Sequence, residues 1–216
     1  MNQTDQLIES LAQETKPVTP MRNPVTLALR LGSVLLLYAL AIGWVLGLRP
    51  DLAMQLQRPF YLAEIMSLAA ISLTSLWACV HLAFPDQYQR RIVAQLPILA
   101  FGALSIILGV QGFLPHDLRM VIPPPETAHG MECTLCIGSV AIIPSALMLI
   151  FLRLGASVHP RAAGAYAVLA AAGIGCLMLR LSEANDSLAH LVTWHYLPTL
   201  LFAVIGAGIG KWLLKW

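Results

Sequence analysis

The residues with the most evident chemistry are two cysteines with acidic and imidazole side chains beside them. The stretch HGMECTLCIGSV, residues 129–140, places Cys133 and Cys136 three positions apart, just after His129 and Glu132. Thiolate, imidazole and carboxylate groups are all zinc ligands, and two nearby thiols can instead form a disulfide. A single Cys-x-x-Cys pair is a weak metal signal, because strong ones have two pairs at fixed spacing. The third interpretation is two small residues packed at a helix start.

A second stretch, SEANDSLAH at residues 182–190, offers more ligands. If both stretches lie at one end of the fold, that end gathers Cys133, Cys136, Glu132, Glu183, His129 and His190. We predict signal sensing through Cys133 and Cys136, with Glu183 and His190 as further ligands of zinc or another thiophilic metal. A disulfide between the two cysteines is disfavoured because positions three apart on a helix have Cβ atoms about 5–6 Å apart, whereas a disulfide needs roughly 3.5–4.5 Å.

Composition identifies the solvent of this chain as lipid. Of 216 residues, 58% are hydrophobic and 11% are charged, and the mean hydropathy is +0.74; soluble domains carry about 25% charged residues. A net charge of +2 does not indicate direct nucleic-acid binding. The sequence contains no nucleophile–base set, no phosphate-binding loop and no large polar domain, so we do not expect an enzyme.

Six apolar stretches have the roughly 20 residues that a membrane-spanning helix needs. They are residues 25–48, 60–84, 92–114, 134–152, 162–181 and 191–210. We therefore predict an all-α polytopic membrane protein with a bundle of six transmembrane helices. Residues 1–24 form a short cytoplasmic segment that binds a partner, and residues 25–216 form the transmembrane domain.

The distribution of basic residues predicts the orientation, because cytoplasmic loops are enriched in lysine and arginine. With the N-terminus inside, nine basic residues face the cytoplasm: Lys16, Arg22, Arg30, Arg90, Arg91, Arg153, Arg161, Lys211 and Lys215. Four lie on the other side: Arg49, Arg58, Arg119 and Arg180. Both termini are thus predicted to be cytoplasmic. In a bacterial inner membrane, Cys133 and Glu183 would then face the periplasm.

The polar head has the pattern of a short amphipathic helix. TDQLIESLA, residues 4–12, places Leu7, Ile8 and Leu11 on one face, with Thr4 as a candidate N-cap and Asp5 in the first turn. Such a short helix is marginal alone in water, and its acidic residues disfavour anionic lipid. We predict that it docks in a groove of a protein partner; an inert tail is the alternative.

Polar residues inside the spans are functional candidates by default. Glu64 lies about four residues into the second span, where it could act chemically or pair with an arginine such as Arg58. His195 lies in the sixth span, five residues after His190. On a regular α-helix these two histidines are about 140° apart, so we do not expect them to face one another.

Several motifs together resemble one family, the six-span bacterial membrane anti-sigma factors of the NrsF type. The motifs cover nearly the whole chain and are TDQLIESLA, GLRPDL, RPFYLAEIMSLA, CTLCI with Pro144 eleven residues after Cys133, RLGASVHPR, NDS, TWHY and GKWLLKW. The resemblance implies that the cytoplasmic head holds an extracytoplasmic-function sigma factor at the membrane. It also implies that periplasmic cysteines register oxidants or thiophilic metals and release that factor.

One position departs from the family pattern. Cys133 matches the first family cysteine, but Glu183 occupies the position of the second, just before the acidic NDS stretch. The disulfide that the resemblance would imply cannot form here. Three alternatives remain: Cys136 pairs with Cys133, Glu183 is a metal ligand, or the signal differs. A different class of function, a small transporter or channel-like protein with an outer Cys/Glu/His metal site, is also compatible with the sequence.

Overall fold

The structure, a computed structural model, describes residues 2–14, 23–84, 91–113 and 130–215. Within these ranges the regular structure is entirely helical. The helices are α1 (Gln3–Glu14), α2 (Pro24–Leu46), α3 (Leu52–Gln55), α4 (Pro59–Leu82), α5 (Arg91–Phe113), α6 (Gly130–Arg153), α7 (Pro160–Ser182), α8 (Leu188–His190) and α9 (Leu197–Leu213), with a π-helical segment, Leu191–Tyr196, joining α8 to α9.

Six of these helical stretches are long and apolar enough to cross a membrane, which confirms the predicted class of fold. The largest difference in the bounds concerns α6, which begins at Gly130 rather than at the predicted residue 134. The cysteine pair therefore lies within a helix. The last span also starts early, at Leu188, because α8 and the π-helical segment continue into α9.

Helix α7 is the most buried of the six spans and packs against α2, α4, α6 and α9. Its contact with α9 depends on small residues, because a Cβ atom on Gly164 would clash with the backbone of Gly206 and Gly210. Glycine at these positions lets the two backbones approach closely, as is common between membrane helices. The small residues of α7 and α9 therefore serve helix packing.

Backbone hydrogen bonds join neighbouring segments at both ends of the bundle. We call the end formed by the carboxyl ends of α2 and α7 and the amino ends of α4 and α6 the site end. There the Arg49 backbone N–H donates to Leu181 O at 3.0 Å. At the opposite end the Ala156 N–H donates to Ala83 O at 3.0 Å. The loop after α2 contains the one-turn helix α3 on the site end.

Helix α1 begins one residue earlier than predicted, at Gln3, so Thr4 is inside the helix and is not its N-cap. Instead the Asn2 N–H donates to Asp5 Oδ2 at 3.1 Å, the arrangement of half a capping box. Helix α2 begins with Pro24 in its first turn, and Asn23 Oδ1 accepts from the Val25 N–H at 2.9 Å. Proline is favoured in the first turn because that position needs no backbone donor.

Candidate functional site

Four side chains meet at the site end in a group that we call the cysteine cluster. They are Cys133 of α6, Glu183 just after α7, His190 of α8 and His195 of the π-helical segment. Cys133 Sγ lies 3.5 Å from Glu183 Oε2 and 3.6 Å from His190 Nε2. Glu183 Oε1 is 3.3 Å from His190 Nε2, and Oε2 is 3.1 Å from His195 Nε2. One ligand atom from each residue lies within 4.8 Å of the others. The arrangement is able to hold a metal ion.

The first turn of α6 positions Cys133 by close contact with the π-helical segment. Gly130 is buried against the indole of Trp194, which leaves no room for a Cβ atom there. The Thr134 hydroxyl donates to Trp194 O at 2.9 Å. That carbonyl needs an outside donor because Pro198, four residues later, has no N–H. These contacts join Cys133 to the helix that carries both histidines.

The π-helical segment brings His190 and His195 together, contrary to the expectation from an α-helical register. The Leu197 N–H donates to Val192 O, five residues earlier. In an α-helix this hydrogen bond would join residues four apart. The two imidazole rings consequently lie 5.3 Å apart between centroids. His195 thus belongs to the cysteine cluster, and sequence reasoning placed it elsewhere because it assumed 3.6 residues per turn.

Cys136 does not belong to this group, although the sequence analysis included it among the ligands. It is half-buried one turn further along α6. No disulfide joins any of the four cysteines, all of which lie in the described ranges. Glu132 is exposed, and His129 lies outside the described residues.

Glu183 lies at the end of α7, beyond the spans, with a side chain that is 22% exposed. Burial by itself raises the pKa of Glu183, but the nearby His195, His190 and Cys133 more than offset that effect and leave the pKa below its usual value. The carboxylate is therefore the charged partner at the centre of the cysteine cluster.

A second polar group, which we call the arginine network, lies at the same end of the bundle. It comprises Arg49, Asp51, Gln55, Glu64, Arg180 and Asp186. Arg180 Nε donates to Glu64 Oε1 at 2.7 Å, and its Nη1 lies 2.8 Å from Asp186 Oδ1. Glu64 therefore pairs with Arg180, which corrects the suggested pairing with Arg58.

Asp186 contacts both arginines. Arg49 donates two hydrogen bonds to its carboxylate, at 2.9 and 3.0 Å, and Arg180 Nη1 lies beside the same group. Gln55 donates to both Asp186 and Asp51, at 3.2 and 2.9 Å. Burial by itself lowers the pKa of Arg49, but its hydrogen bonds to Asp186 and Asp51 raise it above its usual value. The hydrogen bonds from Arg49 and Gln55 hold the pKa of Asp51 well below its usual value.

Two tyrosines complete the arginine network. Tyr61 lies beneath the Arg180 guanidinium, 4.6 Å from ring centroid to Cζ, and donates to Arg180 O at 3.1 Å. The Tyr196 hydroxyl donates to Glu64 Oε1. Because Tyr196 follows His195 directly, the π-helical segment belongs to both groups. Sequence analysis used Arg49 and Arg180 only to assign orientation; an arginine within an apolar run was the available signal for the network.

The residues predicted to bind a partner lie on α1, away from both groups. The side chains of Asp5, Leu7, Ile8 and Leu11 are all exposed, and the three apolar ones are 59%, 61% and 56% exposed. The spacing of these three residues puts them on one face of the helix. No residue in the described part of the chain covers this apolar stripe.

Comparison with known proteins identifies the family of this chain. The family described as "Negative regulator of sigma F" (NrsF) matches residues 11–216. The Anti-sigma-F factor NrsF of Caulobacter vibrioides is 28% identical over 99% of both chains. The Probable anti-sigma-F factor NrsF of Azospira oryzae is 24% identical over 83% of this chain and 88% of its own. No solved structure matches the chain. The chain belongs to the NrsF family of negative regulators of sigma F.

Proposed function

We propose that this protein is an anti-sigma factor of the bacterial inner membrane that holds an extracytoplasmic-function sigma factor through α1. In this proposal both termini are cytoplasmic, the site end faces the periplasm, and an oxidative or metal signal received at Cys133 releases the sigma factor. The observation that carries the proposal is the exposed apolar stripe of α1, in a chain whose relatives are named anti-sigma-F factors. Family membership favours this regulator over a transporter.

The apolar stripe of α1 needs a cover. Helix α1 has 12 residues, and an isolated helix of that length is marginal in water. Docking in a hydrophobic groove of a partner would bury Leu7, Ile8 and Leu11, and the acidic Asp5 and Glu9 would meet basic residues around that groove. The family match starts at residue 11 and therefore omits most of α1. The alignment with the Caulobacter protein covers 99% of this chain.

The distribution of charge supports the proposed orientation. Two of the four basic residues on the proposed periplasmic side, Arg49 and Arg180, are buried in ion pairs with carboxylates. Both arginines therefore serve the fold, and the count of nine basic residues against four remains the basis of the proposed orientation. A periplasm-active reporter should be silent when fused after Trp216 and active when inserted near Pro124. The reverse pattern would refute the orientation.

The double substitution Leu7→Asp with Leu11→Asp tests the role of α1. Each buried leucine contributes about 1.5–3 kcal/mol, so losing both is expected to weaken sigma-factor binding by at least about 100-fold. The measurement is co-purification of the sigma factor with the full-length membrane protein.

The matched control is Gln6→Asp with Gln13→Asp, which adds the same charge to the opposite, polar face of α1. This control is expected to retain the sigma factor. Equal loss in both double variants would mean that added charge, not the apolar stripe, determines binding. Full retention in both would refute the proposed role of α1.

A further inference from the structure

We propose that Cys133, Glu183, His190 and His195 together bind one borderline divalent d-block cation, with Zn²⁺ as the representative ion. This inference rests on the proposed function only for its regulatory consequence, since metal binding can be measured without any sigma factor. It replaces Cys136 of the sequence-based set with His195. It also gives Glu183 a direct role in the position where the family pattern has a cysteine.

The spacing of the ligand atoms fits a tetrahedral ion. Zinc bonds of about 2.3 Å to sulfur and 2.0–2.2 Å to nitrogen and oxygen place neighbouring ligand atoms roughly 3.4–3.6 Å apart. Glu183 Oε2 lies 3.5 Å from Cys133 Sγ and 3.1 Å from His195 Nε2, Glu183 Oε1 lies 3.3 Å from His190 Nε2, and Cys133 Sγ lies 3.6 Å from His190 Nε2. The remaining pairs of ligand atoms lie within 4.8 Å. Binding an ion therefore requires the side chains to draw together.

The charges and burial of the cluster also call for a cation. A Cys133 thiolate and the Glu183 carboxylate carry two negative charges, and two neutral imidazoles add none, so a divalent ion makes the group neutral. His195 is completely buried, and its Nε2 is directed at the Glu183 carboxylate. His195 Nδ1 makes no hydrogen bond to any residue within the described ranges, and Nε2 contacts the Glu183 carboxylate at 3.1 Å. An ion placed between Nε2 and that carboxylate would bond to both, since imidazole nitrogen and carboxylate oxygen are both zinc ligands.

The ligand types decide the class of metal. One sulfur, two imidazole nitrogens and one carboxylate suit Zn²⁺ and its neighbours in the first transition row. Mg²⁺ and Ca²⁺ require six or more oxygen ligands, which this cluster does not provide. The π-helical segment supplies the two imidazole ligands as a pair, because it places His190 and His195 on one face, as i and i+4 would be on an α-helix.

The test is metal analysis of the full-length protein, purified in detergent and equilibrated with Zn²⁺ or Co²⁺. We expect one ion per chain, and with Co²⁺ an absorption band from sulfur-to-cobalt charge transfer. Cys133→Ser should abolish that band. His195→Gln and Glu183→Gln should each weaken binding by at least about tenfold, a loss that changing a hydrogen-bond partner of a metal ligand can already cause. Mg²⁺ should not compete.

The matched control is Cys136→Ser, one helical turn from the ligand cysteine, which should retain both the ion and the charge-transfer band. Loss of the band in this control, or its persistence in Cys133→Ser, would overturn the assignment. Absence of bound metal in the parent would do so as well. A variant that misfolds is recognised by thermal unfolding in detergent without metal, and Cys133→Ala then takes the place of Cys133→Ser.

The sigma-factor release assay separates this inference from the proposed function. If Zn²⁺ binds at the four residues but does not release a bound sigma factor, the site stands and its role as the signal receiver fails. If the parent binds no metal while the α1 double substitution still releases the sigma factor, the metal site fails and the anti-sigma role stands.

Discussion

The arginine network and the cysteine cluster lie side by side at one end of the bundle and differ in how their polar atoms are satisfied. In the arginine network, opposite charges pair directly, as Arg180 does with Glu64 and Arg49 with Asp186. In the cysteine cluster, one carboxylate, Glu183, contacts Cys133 and both histidines, and His195 Nδ1 has no hydrogen-bond partner within the described ranges. The first group joins the helices through charged pairs, whereas the second, in our proposal, receives a metal ion.

The largest expected effect comes from breaking the arginine network with Arg180→Leu. This change leaves Glu64 and Asp186 buried without their shared cation, and removing one partner of a buried ion pair costs about 3–5 kcal/mol. Thermal unfolding of the metal-free protein in detergent should show a large loss of stability.

The matched control is Arg58→Leu, at the half-buried arginine just before α4. Its expected cost is below about 1 kcal/mol, the usual value of an exposed charged contact. Similar losses in the two variants would contradict the pairing of Glu64 with Arg180.

A smaller effect is expected from His195→Phe in the cysteine cluster. Without metal, an apolar ring of similar shape loses the contact with Glu183, which keeps His190 as a partner, so stability should change by less than about 1.5 kcal/mol. With Zn²⁺ at 100 times its dissociation constant, the parent should gain about 2.7 kcal/mol and the variant should gain much less. If the metal-free variant lost as much stability as Arg180→Leu, the distinction between the two groups would be wrong.

The smallest effect is expected from deleting Thr193, an exposed residue of the π-helical segment. A π-helical turn contains one more residue than an α-helical turn, so the deletion should convert the segment to α-helix. His190 and residue 195 would then be four positions apart and still share a face. Zinc affinity should change by less than about threefold, an expectation that follows from this retained geometry.

Deleting Leu201, an exposed residue of regular α9, is the control for this deletion. It turns the following residues by about 100° relative to those before it, which moves Gly206 and Gly210 away from Gly164 or displaces the site. The stability of the variant without Leu201 should fall sharply. Comparable damage from both deletions would show that the π-helical segment is not an extra residue in an otherwise α-helical span.

The sequence was sufficient for the number and type of the spans, because twenty apolar residues in lipid have few structural options. It also pointed to Cys133, Glu183 and His190, since each lies in a polar stretch at a span end. It did not reveal that His195 joins them, because a π-helical turn has no clear sequence signature; Pro198 was the only available sign. The partner of Glu64 was missed because Arg180 is 116 residues away in the chain.

Helix α2 connects the site end of the bundle with the opposite end. Its 23 residues give a rod about 35 Å long, with Asn23 just before one end and Arg49 three residues beyond the other. Only Ala28, Leu31, Leu35 and Ala39 are buried, on a single narrow stripe. A rod held by so narrow a contact would shift along its own axis as one body, so a displacement at Leu46 would also displace Asn23 at the opposite end of the bundle.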